Sequence, residues 1–90
     1  MIISAALSYK LKDQEDDDMR YIVTGHRHAD CYEILYVNKI SYDKESVIEG
    51  FQNVDAEKID FVDRYEAAKI AYNCHQTEIR LNILYSEDIY

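Results

Sequence analysis

The chain has no proline and no tryptophan, two glycines, two cysteines, and only ten lysines and arginines against eighteen aspartates and glutamates. With no proline, no internal repeat and no linker-like stretch, nothing divides the 90 residues, and a single domain over 1–90 is expected. Cys31 and Cys74 lie too far apart for a zinc-ligand spacing. Both are expected to be small buried hydrophobes on helix faces, reduced in a cytoplasm. No apolar run approaches the roughly 20 residues of a membrane-spanning helix. Ile2 to Leu7 is too short for the apolar core of a signal peptide and has no basic flank. The shortage of cations sets the formal charge at −8. Nucleic-acid backbones and anionic lipids repel such a surface, which excludes a non-specific duplex binder and a peripheral membrane protein. A small anionic ligand remains compatible, because a local pocket can oppose the global field.

What is present is apolar and aromatic. At 48 % apolar the chain can form a core, which excludes global disorder. A domain of this size buries only about two-thirds of its unfolded surface, so its stability is modest or leans on a partner subunit. Nine tyrosines supply rings with wettable hydroxyls, suited to core edges, interfaces and nucleobase stacking.

Ile3, Ala5, Leu7, Tyr9 and Leu11 alternate, which predicts a strand over Ile2–Lys12 with that set on one face. Asp13 to Asp18 is a run of like charge and reads as the exposed loop of a hairpin, with Met19–Thr24 as its second strand. A helix is predicted over Ala29–Lys39, with Cys31, Ile34, Leu35 and Asn38 on one face. Ser41–Ser46 reads as a connection, Val47–Phe51 as a third strand, Asn53–Glu57 as a turn and Lys58–Val62 as a fourth strand. Asp63 followed by Glu66 outlines a capping box opening a second helix. Ala67, Ile70, Ala71 and Cys74 give that helix a stripe of small residues suited to close packing on a sheet. Residues 81–90 read as a tail in which Leu84, Tyr85 and Tyr90 can dock. The expectation is an α+β fold, a small antiparallel sheet of about four strands with two helices packed on it.

The densest chemistry lies in Thr24-Gly25-His26-Arg27-His28-Ala29-Asp30-Cys31. A glycine turn opening into a helix leaves free backbone N–H groups at the positive end of a dipole. Arg27 can pair bidentately with phosphate, His26 and His28 can donate or stack, and Gly25 lets the backbone approach. Arg64 and Arg80 are further clamps, although Arg64 also has Asp60, Asp63 and Asp13 as pairing partners. Tyr21, Tyr32, Tyr36 and Phe51 are stacking candidates. His26, His28 and Asp30 alternate as metal ligands would on an extended segment, but no further ligand follows nearby, so no metal is expected. Cys31 beside His28 could be a thiolate nucleophile, yet it belongs to its helix's apolar stripe. Asp13 to Asp18 lacks the glycine and final glutamate of a calcium loop. With no Ser-His-Asp or glycine-elbow arrangement, no catalytic group and no cofactor are expected.

Five blocks resemble a pattern that recurs in small bacteriophage proteins: the opening Met1 to Ala6, Thr24 to Asp30, Glu49-Gly50-Phe51, Phe61 to Ala68, and Leu84 to Asp88. Within that set the chain most resembles the first-described Thoeris anti-defence family, whose members sequester cyclic nucleotide signals of bacterial immunity without cleaving them. The resemblance covers most of the chain. It implies a small α+β protomer assembled into dimers or larger homo-oligomers, with ligand pockets between protomers, working in the host cytoplasm. The implied ligands are glycocyclic ADP-ribose isomers or cyclic oligonucleotides, held at Gly25, Arg27, His28 and Arg64. The chain departs from the pattern in its acidic insertion, Asp13 to Asp18, and in having Arg80 as its only late arginine.

Three functions are therefore expected in descending order. The first is a non-enzymatic sponge for a cyclic nucleotide, using Gly25, His26, Arg27, His28 and Arg64. The second is an acidic inhibitor of a defence protein acting by direct binding or charge mimicry. The third is a metal-dependent phosphoesterase using His26, His28 and Asp30.

Overall fold

The computed structural model describes residues 1–89 as strands β1 (Ile2–Leu11) and β2 (Tyr21–Gly25), helix α1 (His28–Val37), strands β3 (Tyr42–Asp55) and β4 (Lys58–Asp63), helix α2 (Arg64–Asn73) and a 3-10 turn at Ser86–Asp88. The strands form one antiparallel sheet in the order β2-β1-β3-β4. The α+β expectation holds. Because β2 and β3 both run antiparallel to β1, α1 carries the chain across β1 from one flank to the other.

Both helices lie on the face that carries Ala5, Leu7, Tyr9 and Phe51, which form the core with Cys31, Leu35, Ala67, Ala68, Ala71 and Leu84. Alanine at Ala67, Ala68 and Ala71 lets α2 sit close to the sheet. Cys74 is not part of that stripe as expected: α2 ends at Asn73, and Cys74 is the exposed C-cap residue, with Ala68 buried in its stead. Ile34 is likewise more exposed than its periodicity predicts, and Cys31 and Leu35 alone of its stripe are buried. Asp63 caps α2 as expected, its Oδ1 accepting the Glu66 N–H at 2.8 Å. Leu84 from the tail is fully buried, and its N–H donates to the Arg64 carbonyl at 3.0 Å.

Two predicted boundaries are corrected by the sheet itself. Ile2 pairs with Asn53 and Ser4 with Gln52, so Ile3 is an extra residue in β1. That bulge turns Ile2 into the core and leaves Ile3 43 % exposed, reversing the predicted face at this end. Residues 42–46 of the expected connection Ser41–Ser46, and residues 53–55 of the expected turn Asn53–Glu57, belong to β3. β3 needs three more residues than β1 between the Ser8–Ile48 and Lys10–Asp43 pairs. Side chains hold that excursion: Ser46 Oγ accepts the Lys10 N–H at 2.8 Å and donates to the Asp43 carbonyl at 2.6 Å.

Among the described residues, no helix packs on the other face of the sheet. Ile22, Ile48, Val54 and Ile59 are each more than a third exposed there. Arg20 crosses it, with Nε donating to Ser8 Oγ at 2.6 Å and Nη2 to the Ser8 and Ser46 carbonyls. Gly50 sits under the Phe61 ring, and a Cβ there would lie 2.2 Å from the Val62 carbonyl oxygen and 2.6 Å from Phe61 Cζ. Among the described residues, no helix is long and apolar enough to cross a membrane.

Candidate functional site

Strand periodicity places Val47, Glu49 and Phe51 on the helix-covered face, so β3 aims one carboxylate at the helices. Glu49 is met from both sides. Tyr32 on α1 donates its hydroxyl to Glu49 Oε2 at 2.8 Å, and Arg64, the first residue of α2, pairs with Oε1 at 2.7 Å. Burial alone would raise the Glu49 carboxyl, but these two hydrogen bonds and the Arg64 charge hold it below the usual range. Burial and the same hydrogen bond push the Tyr32 phenol far up.

Arg64 also fastens the tail. Its Nη1 donates to the Leu84 carbonyl at 2.7 Å, and its guanidinium lies 4.7 Å from the centre of the Tyr85 ring. Its predicted partners Asp60, Asp63 and Asp13 are displaced by Glu49, which accepts its only ion pair among the described residues. His28 completes the cluster. Its Nε2–H donates to the Gly50 carbonyl at 2.8 Å, which leaves Nδ1 to accept Ser86 Oγ–H at 2.9 Å and an Arg64 N–H at 3.5 Å. The ring stands edge-on to Phe51, with centres 5.0 Å apart. Burial, reinforced by the Arg64 charge, keeps this imidazole below its ordinary range, against the hydrogen bond to Gly50.

The cluster contains a serine donating to a histidine, as in a hydrolase, but its surroundings are wrong for attack. Ser86 is 3 % exposed and His28 9 %, and the far nitrogen of the ring faces a backbone carbonyl where a hydrolase places a carboxylate. Cys31 is no better placed. It is fully buried, and burial pushes its thiol up to about 11.

Of the five predicted site residues, the structure brings His28 and Arg64 together inside this cluster and leaves His26 and Arg27 exposed at the start of α1. At the helix start the Asp30 carboxylate accepts the Arg27 N–H at 3.0 Å. Gly25 has a packing role: a Cβ would lie 3.1 Å from Asp30 Cβ and 3.2 Å from Cys31 N and Sγ. Among the described residues, no three His, Cys, Asp or Glu side chains are grouped to hold a metal ion, and His26, His28 and Asp30 are not gathered.

At its other end α1 borders a cleft of about 410 Å³ lined by Tyr32, Leu35, Tyr36, Lys39, Ile40, Tyr42 and Lys44. Sequence reasoning named Tyr32 and Tyr36 but missed both lysines and Tyr42, because they straddle a helix end and a strand assigned to a connection. Glu49, Tyr85 and Ser86 were missed as site residues too. The alternation of Val47, Glu49 and Phe51 would have found the first.

A family model described as "Phage T4 y16D protein" matches residues 1–90, the full sequence. The chain belongs to that family. No curated protein and no solved structure matches it. The y16D family is a phage family, which agrees with the bacteriophage part of the resemblance. In this y16D-family chain the cluster draws together four of the five blocks from which that resemblance was read, through His28, Glu49 to Phe51, Arg64, and Leu84 to Ser86.

Proposed function

We propose that this protein works by capture: it binds a small phosphate-bearing cyclic nucleotide signal and sequesters it without cleaving it, in the cytoplasm of a phage-infected host. The observation that carries this reading is how the chain spends its reactive groups. Ser86, His28, Glu49 and Arg64 are consumed by one another in a half-buried clamp, while cations and aromatic rings stand at open clefts. Membership of a phage family agrees with a role against host immunity. Self-association belongs to the same proposal. On the uncovered sheet face the rows Ile22–Ser8–Ile48, Ser4–Gln52–Phe61 and Val54–Ile59 hold no carboxylate, and the row Thr24–Ala6–Gly50–Asp63 holds one that caps α2, so a second copy of a −8 chain meets little repulsion there.

The test is a thermal-shift series with cyclic ADP-ribose isomers and cyclic di- and trinucleotides, followed by heat denaturation and recovery of the ligand. Ligand at a hundred times its Kd adds about 2.7 kcal/mol, a clear shift for a domain this small. A shift with intact ligand recovered supports capture, altered ligand overturns it in favour of an enzyme, and no shift overturns it in favour of a protein target. Light scattering of the wild type and of Ile48→Glu tests the oligomer: the variant is expected to be the smaller species.

A further inference from the structure

We infer that the cleft at the C-terminal end of α1 is the ligand site, taking one nucleobase between its tyrosines and the attached phosphate on Lys39 and Lys44. This rests on the capture reading and gives it a location away from the motif-bearing start of the helix. A ten-residue helix separates the two ends by roughly 15 Å.

Charge is the first argument. Eighteen acidic residues are spread over this chain, yet among the described residues none lines the cleft, and two of its ten lysines and arginines do. The half-charge at a helix C-terminus is negative, and two full positive charges outweigh it. Among the described residues, neither lysine ammonium has a hydrogen bond or ion pair within the protein, so both remain available to an anion.

Shape is the second. Two walls are fixed before any ligand arrives: Tyr32 by its hydrogen bond to Glu49, and Tyr42 by edge contact with the buried Tyr9 ring at 5.9 Å. The third, Tyr36, is 85 % exposed and can close over a flat ring. A volume of about 410 Å³ lies within the range of small-molecule sites. Stacking on tyrosine accepts any nucleobase, and lysine supplies the charge-assisted contact to phosphate.

The third argument is Lys39 itself. The Ile40 N–H donates to the Leu35 carbonyl at 3.0 Å and the Lys39 N–H to the Tyr36 carbonyl at 3.1 Å, closing the helix with Lys39 at φ 55°. Glycine favours that backbone position, and here a cation holds it at the rim of the cleft.

The experiment is an amide NMR titration of the intact protein with adenosine, AMP, cyclic ADP-ribose and cyclic di-AMP. The wild type is compared with Tyr36→Ala, the double variant Lys39→Gly/Lys44→Gln, and Arg27→Gln. The expected result is that AMP and a cyclic probe move the amides from Tyr36 to Lys44. The double variant then weakens AMP at least tenfold while leaving adenosine nearly unchanged, Tyr36→Ala weakens both, and Arg27→Gln weakens neither. If a cyclic probe binds but moves residues 25–30 and depends on Arg27, the location is overturned and capture stands. If AMP binds the cleft and no cyclic probe binds anywhere, the site stands and capture falls. If no probe binds, both fall.

Discussion

The two ends of α1 treat their polar groups in opposite ways. At the start, the Asp30 carboxylate accepts the Arg27 N–H and His28 turns inward to meet Gly50, Ser86 and Arg64. At the finish, Tyr36 and the cations of Lys39 and Lys44 face solvent. The first end fastens the fold and the second is free to meet something else. A cluster of reactive residue types marks a place where polar groups must be satisfied, and burial decides whether they are spent there or left for a ligand.

The sharpest way to break this contrast is Arg64→Ala. It removes the Glu49 ion pair, the Leu84 contact and the cover of Tyr85 in one step, leaving a half-buried carboxylate. Because Glu49 keeps some solvent, the expected loss is about 2–3 kcal/mol in a urea titration, below the range for a fully buried pair. A loss under about 0.5 kcal/mol would show that the clamp does not hold the tail.

His28→Ala comes next. It removes the donor to the Gly50 carbonyl and the acceptor of the Ser86 hydroxyl, for an expected loss of about 1–3 kcal/mol by the same measurement. The same residue sets a pH dependence. Its folded value is depressed, so the unfolded chain takes up a proton as pH falls below about 6.5 while the folded chain does not. Stability is therefore complete above about pH 7 and declines as pH drops from 6.5 toward the lowered folded value. Arg64 deepens this depression, while Glu49 and Glu87 work against it. Urea midpoints at pH 7.5, 6.5 and 5.5 will decline for the wild type and stay flatter for His28→Ala.

Lys39→Gly probes the opposite end, where stability and capture are expected to part. Relief of the left-handed backbone adds up to about 1 kcal/mol, while loss of the ammonium weakens nucleotide binding severalfold. The smallest effect on the fold belongs to Tyr36→Ala, within about 0.5 kcal/mol of wild type because the ring is so exposed.

Much of the fold is legible wherever local chemistry settles it. Alternation in β1 from Ala5 to Tyr9, the acidic loop and the Asp63 cap all act over a few residues, and each stands as predicted. Long-range pairing is harder to read. Nothing local to Ile2 and Ile3 announces a bulge, because it arises from the register against Asn53 and Gln52. The polar run at Asp43 to Ser46 has poor strand propensity and joins β3 with side-chain hydrogen bonds, the Ser46 hydroxyl accepting the Lys10 N–H and the Asp43 carboxylate the Glu45 N–H. Arg64 and His28 were visible as chemistry, but their direction was set by Glu49, a partner far away in sequence.

The uncovered isoleucines have a consequence at the bench. At neutral pH, like charge opposes any association beyond ordered pairing on this face, and acid removes that restraint. Near the isoelectric point of about 4.7 the colloidal barrier is gone, and every unpaired copy presents the bare hydrocarbon of Ile22, Ile48 and Ile59. Turbidity will therefore precede unfolding on acidification. Concentrated stocks will keep best in mildly alkaline buffer at low ionic strength, where the Debye length exceeds about 10 Å.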